Sequence, residues 1–297
     1  MLNDENQKRL RELEQCKNAV DKRLEGFFTG DRSYKTLLES MRYSLLAGGK
    51  RIRAVVCIKF CEASGGALED AMPAACAIEM MHAYTLIHDD LPCMDNDDIR
   101  RGKPSNHVKY GEYTAVLAGD ALQAAAFETL LGSRLPSSSV ASMAQILAGA
   151  AGSGGVCGGQ FLDLTGEGKK PAFAELTEIY NMKTAALLAA SAAIGVAAAA
   201  GGKDQMKAAL GYASSVGLAF QIRDDILDSA STTEEIGKPA GSDRANDKAT
   251  FVSLLGTARC EEIIQEETAN AVAALRGRFG DAGFLTWLAY YLAGRKN

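Results

Sequence analysis

The chain is predicted to be all-α. Apolar residues recur at helical spacing almost throughout, and runs of alternating β-branched residues are few. Aromatics make up only 7% of residues while Ala, Leu and Gly are plentiful, which favours closely packed helices over a β-sandwich. Residues 3–26 carry both charges and apolar positions such as Leu10 and Leu13, so they predict an exposed, amphipathic first helix. Residues 36–47 predict a second, stopped by Gly48-Gly49, and 53–64 an apolar third ending at Gly65-Gly66. A long helix is expected over 69–88, with Pro73 in its first turn because proline has no amide hydrogen to donate. Residues 111–131 follow, then a break at 136–139, then 140–151. A Gly-rich connection over 152–159 leads into 160–164, and helices then cover 174–200, 204–229, 250–277 and 281–293. The one long irregular stretch, 231–248, is rich in Gly, Thr, Asp and Lys. Loops of that length are usually functional or disordered, and its place after an acidic cluster favours a mobile active-site lid over a plain surface loop. No linker separates two independent cores, so 1–297 is expected to form one domain.

The formal net charge of -5 argues against broad nucleic-acid binding. Seven cysteines show no paired metal spacing and most sit in apolar helical context, which fits reduced core thiols in a cytosolic protein. The first residues carry both charges and no apolar signal core, so a cytoplasmic location is expected. The uncharged stretch 185–202 is long enough to suggest a membrane span. Alanine dominates it and Lys183 and Lys203 flank it, so a buried helix approached closely by its neighbours is preferred, with no span.

Two acidic clusters stand out: Asp89-Asp90-Leu91-Pro92-Cys93-Met94-Asp95 and Asp224-Asp225-Ile226-Leu227-Asp228. In the second, Asp224 and Asp228 stand at i and i+4, so a helix stacks them on one face. Like charges at that spacing destabilise a bare helix, which points to a cation that offsets the repulsion. Hard oxygen ligands suit Mg²⁺, commonly shared between carboxylates and substrate phosphates. The first cluster cannot be one regular helix, because Pro92 disfavours the α region at Leu91. A bulge over 91–94 would bring Asp95 back beside Asp89. The plain alternative is an acidic helix end dissolved in water.

Basic groups accompany these carboxylates. Gly48-Gly49-Lys50-Arg51-Ile52-Arg53 places three cations after a glycine pair, and Arg100-Arg101-Gly102-Lys103 follows the first aspartates. Lys183-Thr184 heads a later helix, and Lys238 and Lys248 lie in the expected lid. Arg forks bind phosphate oxygens in bidentate fashion and Lys supplies a mobile point charge. Each basic group alone is an ordinary solvated face. Together with two acidic clusters they suggest two anions, one held through metal and one held directly.

The segment from Asp89 through Asp95 to Arg100-Arg101-Gly102-Lys103-Pro104-Ser105-Asn106-His107 resembles the first aspartate-rich motif of trans-isoprenyl diphosphate synthases. Residues 48–53, Gly158-Gly159-Gln160 through Asp163, Lys183-Thr184, and Phe220-Gln221 through Asp228 match the family's other motifs in order. Gly237-Lys238 and Gly241-Ser242-Asp243 through Lys248 complete the set. The resemblance runs from about residue 35 to the C-terminus and is nearest the bacterial farnesyl diphosphate synthases, with geranylgeranyl diphosphate synthases next. It implies antiparallel helices around a deep apolar cavity, a homodimer, and condensation of isopentenyl diphosphate with dimethylallyl or geranyl diphosphate. By resemblance, Asp89, Asp95 and Asp224 ligate Mg²⁺ (Mn²⁺ as an alternative), supported by Asp90, Asp225 and Asp228. Arg100, Lys183, Thr184, Gln221, Lys238 and Lys248 line the allylic diphosphate site, with Lys183, Thr184 and Gln221 nearest the chemistry. Lys50, Arg53, His82 and Arg101 hold isopentenyl diphosphate, and the basic tail Arg295-Lys296-Asn297 folds over it. His82 is otherwise an ordinary polar residue on the inner face of its helix, and His88 and His107 are assigned no role. Ala54 stands where the family commonly has proline, and Phe251-Val252 where it has Tyr-Pro; neither change removes a charge.

Thr85 and Tyr84 precede Asp89 by four and five residues, roughly 6–7.5 Å deeper along the helix. In the family a bulky aromatic at Tyr84's position is a floor that stops chain growth, so a fifteen-carbon product is expected. Packing between helices is the plain alternative for Tyr84. Two other classes are weighed. A non-catalytic partner subunit usually lacks aspartates that this chain keeps. A terpene cyclase would carry Asn/Asp, Ser/Thr and Glu in its second cluster and would not need residues 48–53.

Overall fold

The computed structural model describes residues 2–166, 168–169, 171–230 and 249–295. The expected lid with Lys238 and Lys248, and the tail residues Lys296 and Asn297, lie outside the described residues.

The protein is a bundle of α-helices. Its helices are α1 (Leu2–Leu24), α2 (Lys35–Leu45), α3 (Ile52–Ala63), α4 (Leu68–Asp89), α5 (Asn106–Tyr110), α6 (Glu112–Leu131) and α7 (Ser137–Ala151). They continue as α8 (Val156–Thr165), α9 (Phe173–Tyr180), α10 (Ala186–Ala198), α11 (Lys203–Ala230), α12 (Phe251–Leu275) and α13 (Gly283–Ala293). Among the described residues the strands are limited to a two-residue hairpin that the sequence reading missed, β1 (Ile99–Arg100) with β2 (Lys103–Pro104), antiparallel.

The Ala-rich α10 lies at the centre, packed against α3, α4, α7 and α11 and buried from Ala190 to Ala198. Small side chains make that approach feasible. A Cβ on Gly195 would lie 2.2 Å from the Cys57 carbonyl oxygen of α3, so only glycine lets the two backbones meet. Phe60 of α3 packs edge-on against Tyr212 of α11, whose buried hydroxyl donates to the Leu285 carbonyl oxygen at 2.8 Å. A smaller apolar cluster, including Ile222, Phe251 and Ile264, joins α11 to α12.

Several boundaries correct the sequence reading. Pro73 falls in the second turn of α4, because the helix begins at Leu68. Residues 156–159 are helical instead of a loop, since Val156 opens α8. α12 is broken at Gly256, whose φ of 75° leaves the helical region. Two helical stretches, Ser137–Thr165 and Phe173–Ala198, are long and apolar enough to cross a membrane. The first is interrupted by turns at 152–155 between α7 and α8, and the second is mostly buried within the bundle.

Candidate active site

α4 delivers the first acidic cluster and ends at Asp89, as Pro92 requires. The chain then folds back. The Asp95 amide donates to the Asp89 carbonyl oxygen at 2.9 Å, and the Asn96 amide to that of Leu91 at 3.1 Å. Asp95 is thus returned to Asp89 by a turn that follows the helix. Burial pushes the Asp89 carboxyl above its ordinary range, and Asp95 and Asp90 add to this against the pull of Lys183 and Arg100. Asp90 is turned away, buried and held by Arg100, whose Nε donates to both carboxylate oxygens at 2.9 and 3.1 Å. Those two residues, expected on the metal cluster and the allylic diphosphate, are paired with each other here.

The β1–β2 turn has Arg101 and Gly102 at φ of 54° and 71°, and it points Arg101 at the glycine pair before α3. The Arg101 guanidinium donates to the Gly48 carbonyl oxygen. Arg51 is left-handed at φ 50° and turns inward, donating to Asp21 at 2.8 Å, Glu79 at 2.9 Å and the Leu45 carbonyl oxygen at 2.8 Å. Glu79 also accepts the Ala54 amide hydrogen at 3.4 Å. Lys50 and Arg53 flank this anchor. Nε of Arg53 is buried and has no hydrogen-bond partner among the described residues. His82 sits one turn after Glu79, and burial together with Arg53, Arg101, Arg51 and Arg100 holds its imidazole well below the ordinary value. Three of the four residues expected at one anion, Arg53, His82 and Arg101, therefore lie near one another, with Glu79 as a buried counter-charge, whereas Lys50 lies near Arg295.

Lys183 and Thr184 do not head a helix. They lie in a π-turn, Asn181–Ala185, between α9 and α10, an extra-residue bulge of the kind common at functional sites. Lys183 donates to Asp163 of α8 at 2.5 Å. A Cβ on Gly159 would sit 2.3 Å from the Lys183 nitrogen, so the Gly pair lets α8 press directly on the bulge.

The second cluster divides on α11. Asp225 is buried, accepting from the Gln221 amide at 3.1 Å and from the Phe251 amide at 2.8 Å, and so ties α11 to the start of α12. Asp224 accepts from Arg295, which also donates to the Phe220 carbonyl oxygen at 3.3 Å. Lys50 feels the same arginine: burial and then Arg295 lower its ammonium below the ordinary value, which places Asp224 and the 48–53 segment near one charge. Among the described residues no three carboxylate, imidazole or thiol groups form a closed metal cage. Mg²⁺ does not require one, because it keeps water and is bound by one or two carboxylates plus substrate phosphates. The like-charged Asp89 and Asp95 fit that mode.

Behind these groups opens a cavity of about 540 Å³. Arg53, His82, Asp89, Lys183 and Thr184 line it together with Tyr84, Thr85, Val156, Leu164 and Leu187. A lining that combines polar and cationic groups with aliphatic side chains suits an amphiphile with an anionic head. The Thr85 hydroxyl donates back to the His82 carbonyl oxygen at 2.8 Å.

Sequence reasoning missed three contacts: Arg295 on Asp224, the Arg51–Glu79 anchor, and Tyr84 against Cys157. Glu79 carried a signal, being a lone carboxylate in the apolar run from Ala74 to Met81. The other two join segments far apart in sequence.

A helical bundle with acidic clusters and a cationic pocket around an apolar cavity defines a class of enzymes acting on prenyl diphosphates. The polyprenyl synthetase family model matches residues 34–277, and the chain belongs to that family, the trans-isoprenyl diphosphate synthases. It is 46% identical to the large subunit 1 of a heterodimeric geranylgeranyl pyrophosphate synthase of Arabidopsis thaliana, covering 87% of this chain and 72% of that one. An FPP/GFPP synthase structure from Zymomonas mobilis superposes with a TM-score of 0.87 at 34% identity, covering 97% of this chain and 99% of that one. A geranyltransferase from Helicobacter pylori, solved with magnesium and isoprenyl diphosphate, gives 0.85 at 31% identity, covering 96% of each. The protein is a short-chain prenyltransferase.

Proposed function

We propose that the protein adds isopentenyl diphosphate to allylic diphosphates up to the twenty-carbon geranylgeranyl product. The observation that carries the reaction is the cavity, which joins Asp89, Lys183, Arg53 and His82 to an aliphatic interior. The product length follows the geranylgeranyl synthase relative. A second reading, a fifteen-carbon product, is favoured by the bulky Tyr84 on the cavity wall.

Breaking the allylic C–O bond leaves a carbocation and a diphosphate, so charge on the departing group must be neutralised. Mg²⁺ or Mn²⁺ held by Asp89, Asp95 and Asp224 would supply that neutralisation. Lys183, oriented by Asp163 at 2.5 Å, adds a fixed positive charge beside Asp89, with Thr184 next to it. Lys238, Lys248 and Gln221 are assigned to the same diphosphate by resemblance. Lys50, Arg53, Arg101 and His82 hold isopentenyl diphosphate, and the unsatisfied Arg53 Nε suits a phosphate oxygen. The released diphosphate is the proposed acceptor of the proton lost after condensation. The protein is expected to act as a homodimer.

The test is incubation with labelled isopentenyl diphosphate, Mg²⁺ and each of dimethylallyl, geranyl and farnesyl diphosphate, followed by sizing of the alcohols. A twenty-carbon alcohol is expected. A product that stops at fifteen carbons selects the second reading, and no product from any primer overturns both.

A further inference from the structure

Two side chains meet at the cavity wall from different helices. The Tyr84 hydroxyl of α4 lies 3.4 Å from Cys157 Sγ of α8, a hydrogen-bond contact to sulfur. Both residues line the cavity. His88 supports the tyrosine from its own helix, ring edge to ring face with centroids 5.0 Å apart. Burial, and then the sulfur contact, keep the phenol above its ordinary range, so it stays protonated and is the stronger donor of the pair. Cys157 is an exposed free thiol in the first turn of α8. Two residues on, Gly159 presses against the π-turn with no room for a Cβ.

We propose that Cys157 is a positioning residue for product length: its sulfur pins Tyr84 as a crossbar between α4 and α8, and that crossbar limits how far the prenyl chain grows. The inference rests on the prenyltransferase reading and assigns the limit to a pair of residues instead of to one ring. An unpinned tyrosine swings between staggered rotamers, and a lengthening chain displaces it. A pinned one must first surrender its contact. The contact to sulfur is weak, so its loss alters the partition between release and a further addition instead of abolishing either. Cutting it therefore shifts the products upward by five-carbon units from whichever length the native enzyme releases.

The products of native enzyme, Cys157→Ala, Cys157→Ser, Tyr84→Phe and the Cys157→Ala/Tyr84→Phe double variant are compared with the same primer. Cys157→Ala and Tyr84→Phe should each raise the ratio of longer to shorter alcohol several-fold. The double variant should gain no more than either alone, because both remove one contact. Cys157→Ser, which keeps a polar partner, should stay nearer the native ratio than Cys157→Ala. An unchanged ratio in Cys157→Ala, effects that multiply in the double variant, or Ser matching Ala overturns the proposal. Absence of any product from the native enzyme sinks the prenyltransferase reading instead. Pinning is also read without turnover, from the rate at which iodoacetamide alkylates Cys157, followed by mass spectrometry. Tyr84→Phe should change that rate several-fold, and an equal rate in the two proteins shows that no pin exists.

Discussion

The Asp224 carboxylate accepts a hydrogen bond from Arg295, whose guanidinium carbon lies 3.8 Å from the centre of the Phe220 ring. A cation from the C-terminal segment thus stands on a carboxylate assigned to Mg²⁺, and burial followed by Arg223 lowers that guanidinium to about 10. On the proposed assignment metal and arginine compete for one site, so Arg295→Gln should lower the Mg²⁺ concentration giving half-maximal activity. The same variant should raise KM for isopentenyl diphosphate if the tail closes over that substrate. A Mg²⁺ requirement identical to native would remove the competition from the account, and full turnover after chelation of all divalent ions would remove the metal.

Tyr84 is the proposed limit on chain length. Tyr84→Ala deletes a ring from the cavity wall, and the longest alcohol produced should gain at least one five-carbon unit. An unchanged chromatogram would return Tyr84 to the role of ordinary helix packing.

Glu79 and Arg51 form a buried ion pair at 2.9 Å, each side chain only 3% exposed. Removing one partner of such a pair typically costs about 3–5 kcal/mol, because the other charge is left buried and unmatched. Asp21 still holds Arg51 Nε at 2.8 Å, so Glu79→Gln should lose about 3 kcal/mol, the lower end of that range. Urea unfolding checks this, and a loss below about 1 kcal/mol would show that Asp21 suffices.

His82 makes stability depend on pH. Its folded-state value lies well below the ordinary 6.5, so in mildly acidic solution the unfolded chain binds a proton that the folded one refuses. Its contribution is complete above about 6.5 and is lost as the pH falls below that, by up to about 1.4 kcal/mol per pH unit. Between pH 7.5 and 5.5 the native protein should lose more stability than His82→Gln in paired urea titrations. Equal losses would mean that burial and the surrounding arginines leave His82 at its ordinary value.

The helical class, most helices and the two acidic clusters were legible in the chain because each is a local property. Periodicity defines a helix face, Pro92 stops α4 at the first cluster, and the glycine pair at 48–49 ends one helix before the cations begin. Local pattern was weaker at irregular backbone. Nothing in Asn181-Met182-Lys183-Thr184-Ala185 marks a π-turn, and the two-residue hairpin that swings Arg101 onto Gly48 is too short for any period to show.

Tertiary structure alone decided which charges pair with one another and which face the cavity. From sequence, Asp90, Asp224 and Asp225 are members of acidic runs, and only the family resemblance sets Asp224 apart as a metal ligand with the other two in support. Folding buries Asp90 against Arg100 and Asp225 against the start of α12, and it sets Arg295 on Asp224 from 71 residues away. The physical reason is desolvation: a carboxylate taken out of water must find a donor, and which donor is near depends on how distant helices pack, not on the spacing of neighbours along the chain.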